Sequence, residues 1–182
     1  MLARYPDRFP ADTRCTTATS LVDIMPTILA AAGVPDDDLE LDGTDLATLA
    51  NGDDDRQFVV SQHGRGPQGI YMIASDKWKY VYSAGDDLEL LYDRCNDPDE
   101  SANLAADPAQ NADKARLRDA LLRHLHAEGL DDAVEQHNGK LQWKPWPRVD
   151  ESYLDDPDAR LLFQDHDAYT LDVPGYVPAR KL

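Results

Sequence analysis

Residues 77–104 constrain the fold more than any other part of the chain. Lys77-Trp78-Lys79-Tyr80-Val81-Tyr82 alternates with period two, which places Trp78, Tyr80 and Tyr82 on one face of a strand. Leu88-Glu89-Leu90-Leu91-Tyr92 is a second short apolar run with a single charge, and Ser83-Ala84-Gly85-Asp86-Asp87 joins the two. The pair reads as an antiparallel hairpin. Asn96-Asp97-Pro98-Asp99 then ends the second strand, because proline has no amide to give to a ladder and Asx residues favour turns.

Other strands and helices build outward from this hairpin. Phe58-Val59-Val60-Ser61-Gln62 is a compact β-prone run, the loop His63-Gly64-Arg65-Gly66-Pro67 follows it, and Ile70-Tyr71-Met72-Ile73 gives another strand. After the hairpin, Asp107 and Pro108 have the character of an N-cap and a first-turn proline. Leu117, Leu121 and Leu125 recur at i, i+4 and i+8, Leu122 widens the stripe, and Gly129 stops the helix. Such a stripe must be buried, and one face of the sheet is the nearest surface. Upstream, Asp23 is placed to cap a helix with Pro26 in its first turn; Ile24, Ile28, Leu29 and Ala32 form its apolar stripe, and Gly33 with Pro35 ends it. A further turn starts at Thr44 or Asp45 and runs through Leu49. Residues 1–19 read as an irregular lead-in. The fold class is therefore α+β: a small antiparallel sheet of three to four strands with a packed C-terminal helix.

The same residues carry a family resemblance. Lys79-Tyr80, Leu91-Tyr92-Asp93, Asp97-Pro98, Glu100 and Asn103-Leu104 resemble the K-Y … L-Y-D … D-P-x-E-x-x-N-L signature of the sulfatases, arylsulfatase-like members of the alkaline-phosphatase superfamily. Ser20-Leu21-Val22-Asp23-Ile24-Met25-Pro26-Thr27 resembles that family's S-x-V-D-x-x-P-T element, and Ala32-Gly33-Val34-Pro35 and Asp42-Gly43 follow in the family's order. A lone L-Y-D means little; the ordered set, over roughly residues 5–128, is specific. The resemblance is to the C-terminal third of a sulfatase. It implies that residues 1–50 are a helical remnant of the end of the catalytic α/β domain and that 51–130 are the C-terminal subdomain. The remaining 131–182 form an aromatic, acidic extension, expected to wrap over the subdomain.

The implied parent reaction is hydrolysis of a sulfuric ester, with a phosphonate or phosphodiester hydrolase of the same superfamily as the neighbouring alternative and a non-catalytic structural or interaction module as the other. Sulfatases use a formylglycine made from a C/S-x-P-x-R motif and a calcium ion that stabilises charge on the sulfuryl oxygens. Neither cysteine fits: Cys15 is followed by Thr16-Thr17-Ala18 and Cys95 by Asn96-Asp97-Pro98. Formylglycine and calcium are thus expected only in a catalytic part outside this chain, which alone is expected to be inactive. No catalytic residue and no metal ligand carries over. Both cysteines read as free thiols. His63 and Arg65, in the loop at a strand end, are the candidate substrate-binding residues, since a planar guanidinium matches sulfate oxygens. His124 and His126 are two apart, point to different sides of their helix and cannot chelate together.

Charge limits the partners. The chain has 35 acidic and 18 basic residues, a net charge of −17, which repels nucleic acid phosphates and anionic lipid. Nothing approaches the ~20 consecutive apolar residues of a membrane span. The triplets Asp36-Asp37-Asp38 and Asp53-Asp54-Asp55 lack the alternating spacing of an EF-hand loop and read as solvated acidic loops. No signal peptide is visible, so a cytoplasmic location is favoured for the chain as given, although a family export signal would lie upstream. The partners expected are a separately encoded catalytic part or a second copy of the chain, met through residues 20–33. Acidity spread over the whole sequence resembles adaptation to a high-salt cytoplasm. Salt screens carboxylate repulsion over ~10 Å at 0.1 M and ~3 Å at 1 M. The melting temperature is therefore expected to rise between dilute buffer and molar potassium chloride. A flat or falling trend in a thermal melt would refute the halophilic reading.

Overall fold

A computed structural model describes residues 2–35, 38–54 and 56–146, all within one compact unit. Four strands, β1 (Val59–His63), β2 (Ile70–Ala74), β3 (Trp78–Ser83) and β4 (Leu88–Asp93), form an antiparallel meander in the order β1-β2-β3-β4. The register puts Tyr71 opposite Tyr82, Ile73 opposite Tyr80 and Tyr80 opposite Leu91, so one face of the sheet carries the large apolar side chains. Trp78, Tyr80 and Tyr82 are all buried, as the period-two alternation required.

Helix α3 (Asn111–Ala127) packs on that face. Leu117, Leu121, Leu122 and Leu125 are each no more than 2% exposed. Asp107 accepts a hydrogen bond from the Ala109 amide at 2.9 Å, starting the helix through a 3-10 turn that contains Pro108. At the other end, the Leu130 amide bonds back to the Leu125 carbonyl, so the chain reverses just past Gly129.

The stretch from 131 onward has no period in the sequence, yet it contains a second hairpin. Strands β5 (Val134–His137) and β6 (Lys140–Trp143) pair antiparallel and cover the remaining part of the core face. Trp143 stacks on Tyr82 with ring centroids 4.1 Å apart and on Tyr71 at 5.6 Å, and its indole N–H reaches the Tyr80 hydroxyl at 3.1 Å. The later aromatics of the extension, Tyr153, Phe163, Tyr169 and Tyr176, lie outside the described residues.

The N-terminal segment holds α1 (Ile24–Ala32), preceded by a 3-10 turn, and α2 (Leu46–Asn51). Asp45 caps α2 through the Ala47 amide at 3.1 Å. Asp23 plays a different part from the helix cap expected of it. Its carboxylate turns away from the first amides of α1 and accepts the amides of Ser20 at 2.7 Å and Thr44 at 3.0 Å. It also takes both terminal nitrogens of Arg56, at 2.7 and 2.9 Å. Gly43 is required here because a Cβ would lie 2.1 Å from the Val22 carbonyl oxygen, so the two backbone segments can cross only at glycine.

Asp23 is fully buried. Burial alone pushes its pKa up, but hydrogen bonds from Arg56, Ser20 and Thr44 overcome it and hold the carboxyl below its ordinary range. The stabilisation is therefore present above the unfolded aspartate pKa of about 3.9 and lost as pH falls through the lower folded value. Arg56→Ala strands a buried carboxylate, which costs about 3–5 kcal/mol at pH 7. Urea melts are expected to show that loss at neutral pH and a narrowing gap to wild type as the carboxylate protonates in acid; a gap independent of pH would contradict this account.

Candidate functional site

The charged residues of the hairpin and the segment after it are spent on holding the backbone. Asp93, at the end of β4, accepts the amides of Cys95 at 3.0 Å and Asn96 at 3.1 Å, plus the Asn96 side-chain amide at 2.8 Å. The Asn96 side chain is the main reason its pKa lies below the ordinary value. Asp97 does the same for the next turn, taking the Ala102 amide at 2.9 Å and the Ser101 hydroxyl at 3.0 Å, and the Ala102 amide chiefly lowers its pKa. Asn103 Oδ1 accepts from the Leu91 and Ala105 amides, both at 3.0 Å, and so mends the open edge of β4. Lys79 pairs with Glu100 across the same connection. Tyr80 donates to Glu89 at 2.7 Å, with Lys114 and Arg118 within 3.7 Å of that carboxylate. Desolvation by burial, then the hydrogen bond to Glu89, pushes the Tyr80 phenol far up, so it stays protonated at any ordinary pH.

None of these groups is free for acid-base or nucleophilic work. Among the described residues no three of His, Cys, Asp and Glu converge as a metal cage. Asp36, Asp37 and Asp55, members of the two acidic triplets, lie outside the described residues. The donor set present does not fit a sulfatase calcium site, and both cysteines are exposed and lack the formylglycine motif.

Two features remain uncommitted. One is the loop between β1 and β2. His63 ends β1 opposite Ile70, exposed, on the sheet face away from α3. Arg65 precedes a 3-10 turn (Gly66–Gln68), and its Nε donates to Asp132 Oδ2 at 3.2 Å while its side chain stays 66% exposed. No hydrogen bond joins His63 to Arg65 among the described residues; the two flank Gly64 and address different sides of the sheet. Asp132 escaped the sequence analysis because its stretch has no period. The other feature is apolar: Leu21, Val22, Ile24, Met25 and Ile28 are exposed on the 3-10 turn and α1, from 39% at Ile24 to 81% at Leu21. This face is broader toward the N-terminus than the stripe read from sequence, in which Leu29 is half-buried. His124 and His126 are both exposed on α3, and His124 lines a cleft of about 550 Å³ beside β1.

Comparison with known proteins places this arrangement. The family model for the C-terminal region of N-sulphoglucosamine sulphohydrolase matches residues 1–127. Arylsulfatase K of Bos taurus is 34% identical over 149 residues, covering 74% of this chain and 27% of that protein. Arylsulfatase K of Rattus norvegicus is 34% identical over 110 residues, covering 53% of this chain and 19% of the relative. The chain thus spans only about a fifth to a quarter of the length of these curated relatives. Among solved structures, a protein in complex with its substrate D-glucosamine-2-N,6-O-disulfate superposes with a TM-score of 0.60 at 24% identity, over 71% of this chain and 28% of that one. That likeness is one of fold. A 2-O GAG sulfatase superposes with a TM-score of 0.50 at 31% identity, over 60% of this chain and 25% of that one.

Proposed function

Because the chain belongs to the sulfatase family, as the C-terminal domain that the N-sulphoglucosamine sulphohydrolase family describes, we propose that it completes a sulfuric ester hydrolase whose reacting groups lie in a separate catalytic part. The observation that carries this reading is the division of its residues. Every charge in the family signature that the structure describes is consumed by the scaffold, while the face Leu21, Val22, Ile24, Met25 and Ile28 is left without cover among the described residues. Large apolar side chains forgo roughly 1.5–3 kcal/mol each when they stay in water, and a contiguous set of them marks an interface. The occupant proposed for this face is the catalytic α/β part, which would also hold the formylglycine and the calcium. The β1–β2 loop, with Arg65 at its tip and His63 at its base, would then contribute to binding the sulfated substrate.

Two outcomes follow. The purified chain, incubated with an aryl sulfate and calcium, is expected to release no product above buffer. Turnover that co-purifies with the chain and survives Cys15→Ala with Cys95→Ala would show that the chemistry has been misplaced. In the second, the chain is mixed with a sulfatase catalytic part that lacks its own C-terminal domain. Met25→Ser with Ile28→Ser is expected to weaken the complex roughly a hundredfold or more, while the cooperative melt of the sheet is retained. If wild type instead sediments as a concentration-dependent dimer that the two serines abolish, a second copy is the occupant and the proposed complex is wrong.

A further inference from the structure

The polar cluster beneath the β1–β2 loop is unusual in being incomplete. Tyr71 is fully buried, yet among the described residues its hydroxyl has at most a poorly aligned approach from the Gly66 amide, and Asp132 Oδ1, also buried, has no hydrogen-bond partner. Both atoms sit under a loop that is packed tightly: a Cβ on Gly69 would lie 2.4 Å from the Tyr71 hydroxyl, so only glycine lets the loop close over the ring. Desolvation by burial, then the charge of Asp132, raises the Tyr71 pKa, which keeps its proton available as a donor. Native proteins seldom leave such groups unpaired in their interior without a use for them.

Asp132 itself is held from below. The Trp146 indole N–H donates to its carbonyl at 3.2 Å, and the Trp146 ring lies under Gly66, where an added Cβ would come within 3.7 Å. Its Oδ2 takes Arg65 at Nε only, and among the described residues neither terminal nitrogen of Arg65 has a hydrogen-bond partner. A guanidinium gripped at Nε presents its two terminal N–H groups as a fixed fork, the geometry that accepts two oxygens of a sulfate. An arginine already ordered loses less rotamer freedom when it binds.

We infer that Asp132, tied down by Trp146, is a positioning residue that aims the Arg65 fork at the sulfate group of a sulfate monoester. The inference rests on the proposed role of this loop in substrate binding and adds the residue that organises it. Asp132 and Trp146 both follow residue 127, where the family match ends, so this support is built by the residues flanking the second hairpin and not by the shared signature.

The test uses the whole chain, labelled with nitrogen-15, and follows the arginine Nε–H resonances while D-glucosamine 6-sulfate is added, with glucosamine as the unsulfated control. The expected result is an Arg65 signal protected from solvent exchange that shifts saturably with the sulfated sugar alone. Asp132→Asn is expected to broaden that signal and weaken binding about three- to tenfold, the equivalent of ordering one long side chain. Its cooperative melt should survive, and Asp132→Glu should restore part of the affinity. No saturable shift in wild type, or unchanged binding in Arg65→Ala, would overturn the role of the loop in binding and the inference with it. Loss of binding in Arg65→Ala with unchanged or tighter binding in Asp132→Asn would overturn the inference alone, since the carboxylate would then be idle or a competitor of sulfate.

Discussion

The Asp23–Arg56 pair is the joint on which the rest of the described structure depends. A fully buried carboxylate is tolerated only when every lone pair finds a donor, and here four N–H groups from three separate segments meet it. Ser20 belongs to the turn before α1, Thr44 to the approach to α2, and Arg56 to the lead-in to β1. One side chain therefore fixes the entry to each element in turn, and Gly43 supplies the close crossing that brings the Thr44 amide into reach. Thr27 adds a second tie, accepting the Leu46 amide at 2.9 Å while donating to the Asp23 carbonyl at 2.6 Å. The aspartate, the threonine and the glycine of the upstream motifs are thus one hydrogen-bonded assembly read at three places in the sequence.

The sheet obeys the same economy. Between β4 and α3 the chain runs through residues 94–107 without regular structure, and the edge of β4 would carry unpaired amides. Asp93, Asp97 and Asn103 satisfy the amides of this connection one turn at a time, and Glu100, whose backbone φ is +52°, is held by Lys79. A sequence signature rich in charge invites a catalytic reading. Its geometry answers with backbone amides at hydrogen-bond distance and no open coordination.

Much of this fold was legible because its periods are clean. Trp78, Tyr80 and Tyr82 at spacing two, and Leu117, Leu121 and Leu125 at spacing four, name the two surfaces that meet in the core. The second hairpin was not found by period, since Val134–His137 and Lys140–Trp143 are four residues each, too short to establish one. A local cue was present all the same: Asn138-Gly139, with φ of +51° and +76°, is the pair that a tight two-residue hairpin turn demands. The bidentate role of Asp23 was beyond sequence reasoning for another reason. Its partner lies 33 positions away across an acidic linker, and nothing in either local context distinguishes a cap from a long-range ion pair. The candidate loop was legible in part. Arg65 stood out as a cation in a glycine-rich turn, while Asp132, 67 positions on, could be found only in three dimensions.

What the chain leaves unspent is as informative as what it uses. In a molecule of net charge −17, a cation whose terminal nitrogens meet no partner among the described residues has many carboxylates available to close them. Arg56 has both terminal nitrogens closed by Asp23, whereas Arg65 is engaged at Nε alone among the described residues. The surface likewise has acidic side chains in abundance, yet five large apolar residues share the exposed side of one short helix and its preceding turn. Solvation favours neither arrangement. A surface selected for solubility alone would pair the arginine and replace the apolar residues with polar ones, each change being local and inexpensive for the fold. Their persistence beside a scaffold whose signature charges are paired fits the proposed assembly with a catalytic part, one feature to join it and one to meet its substrate.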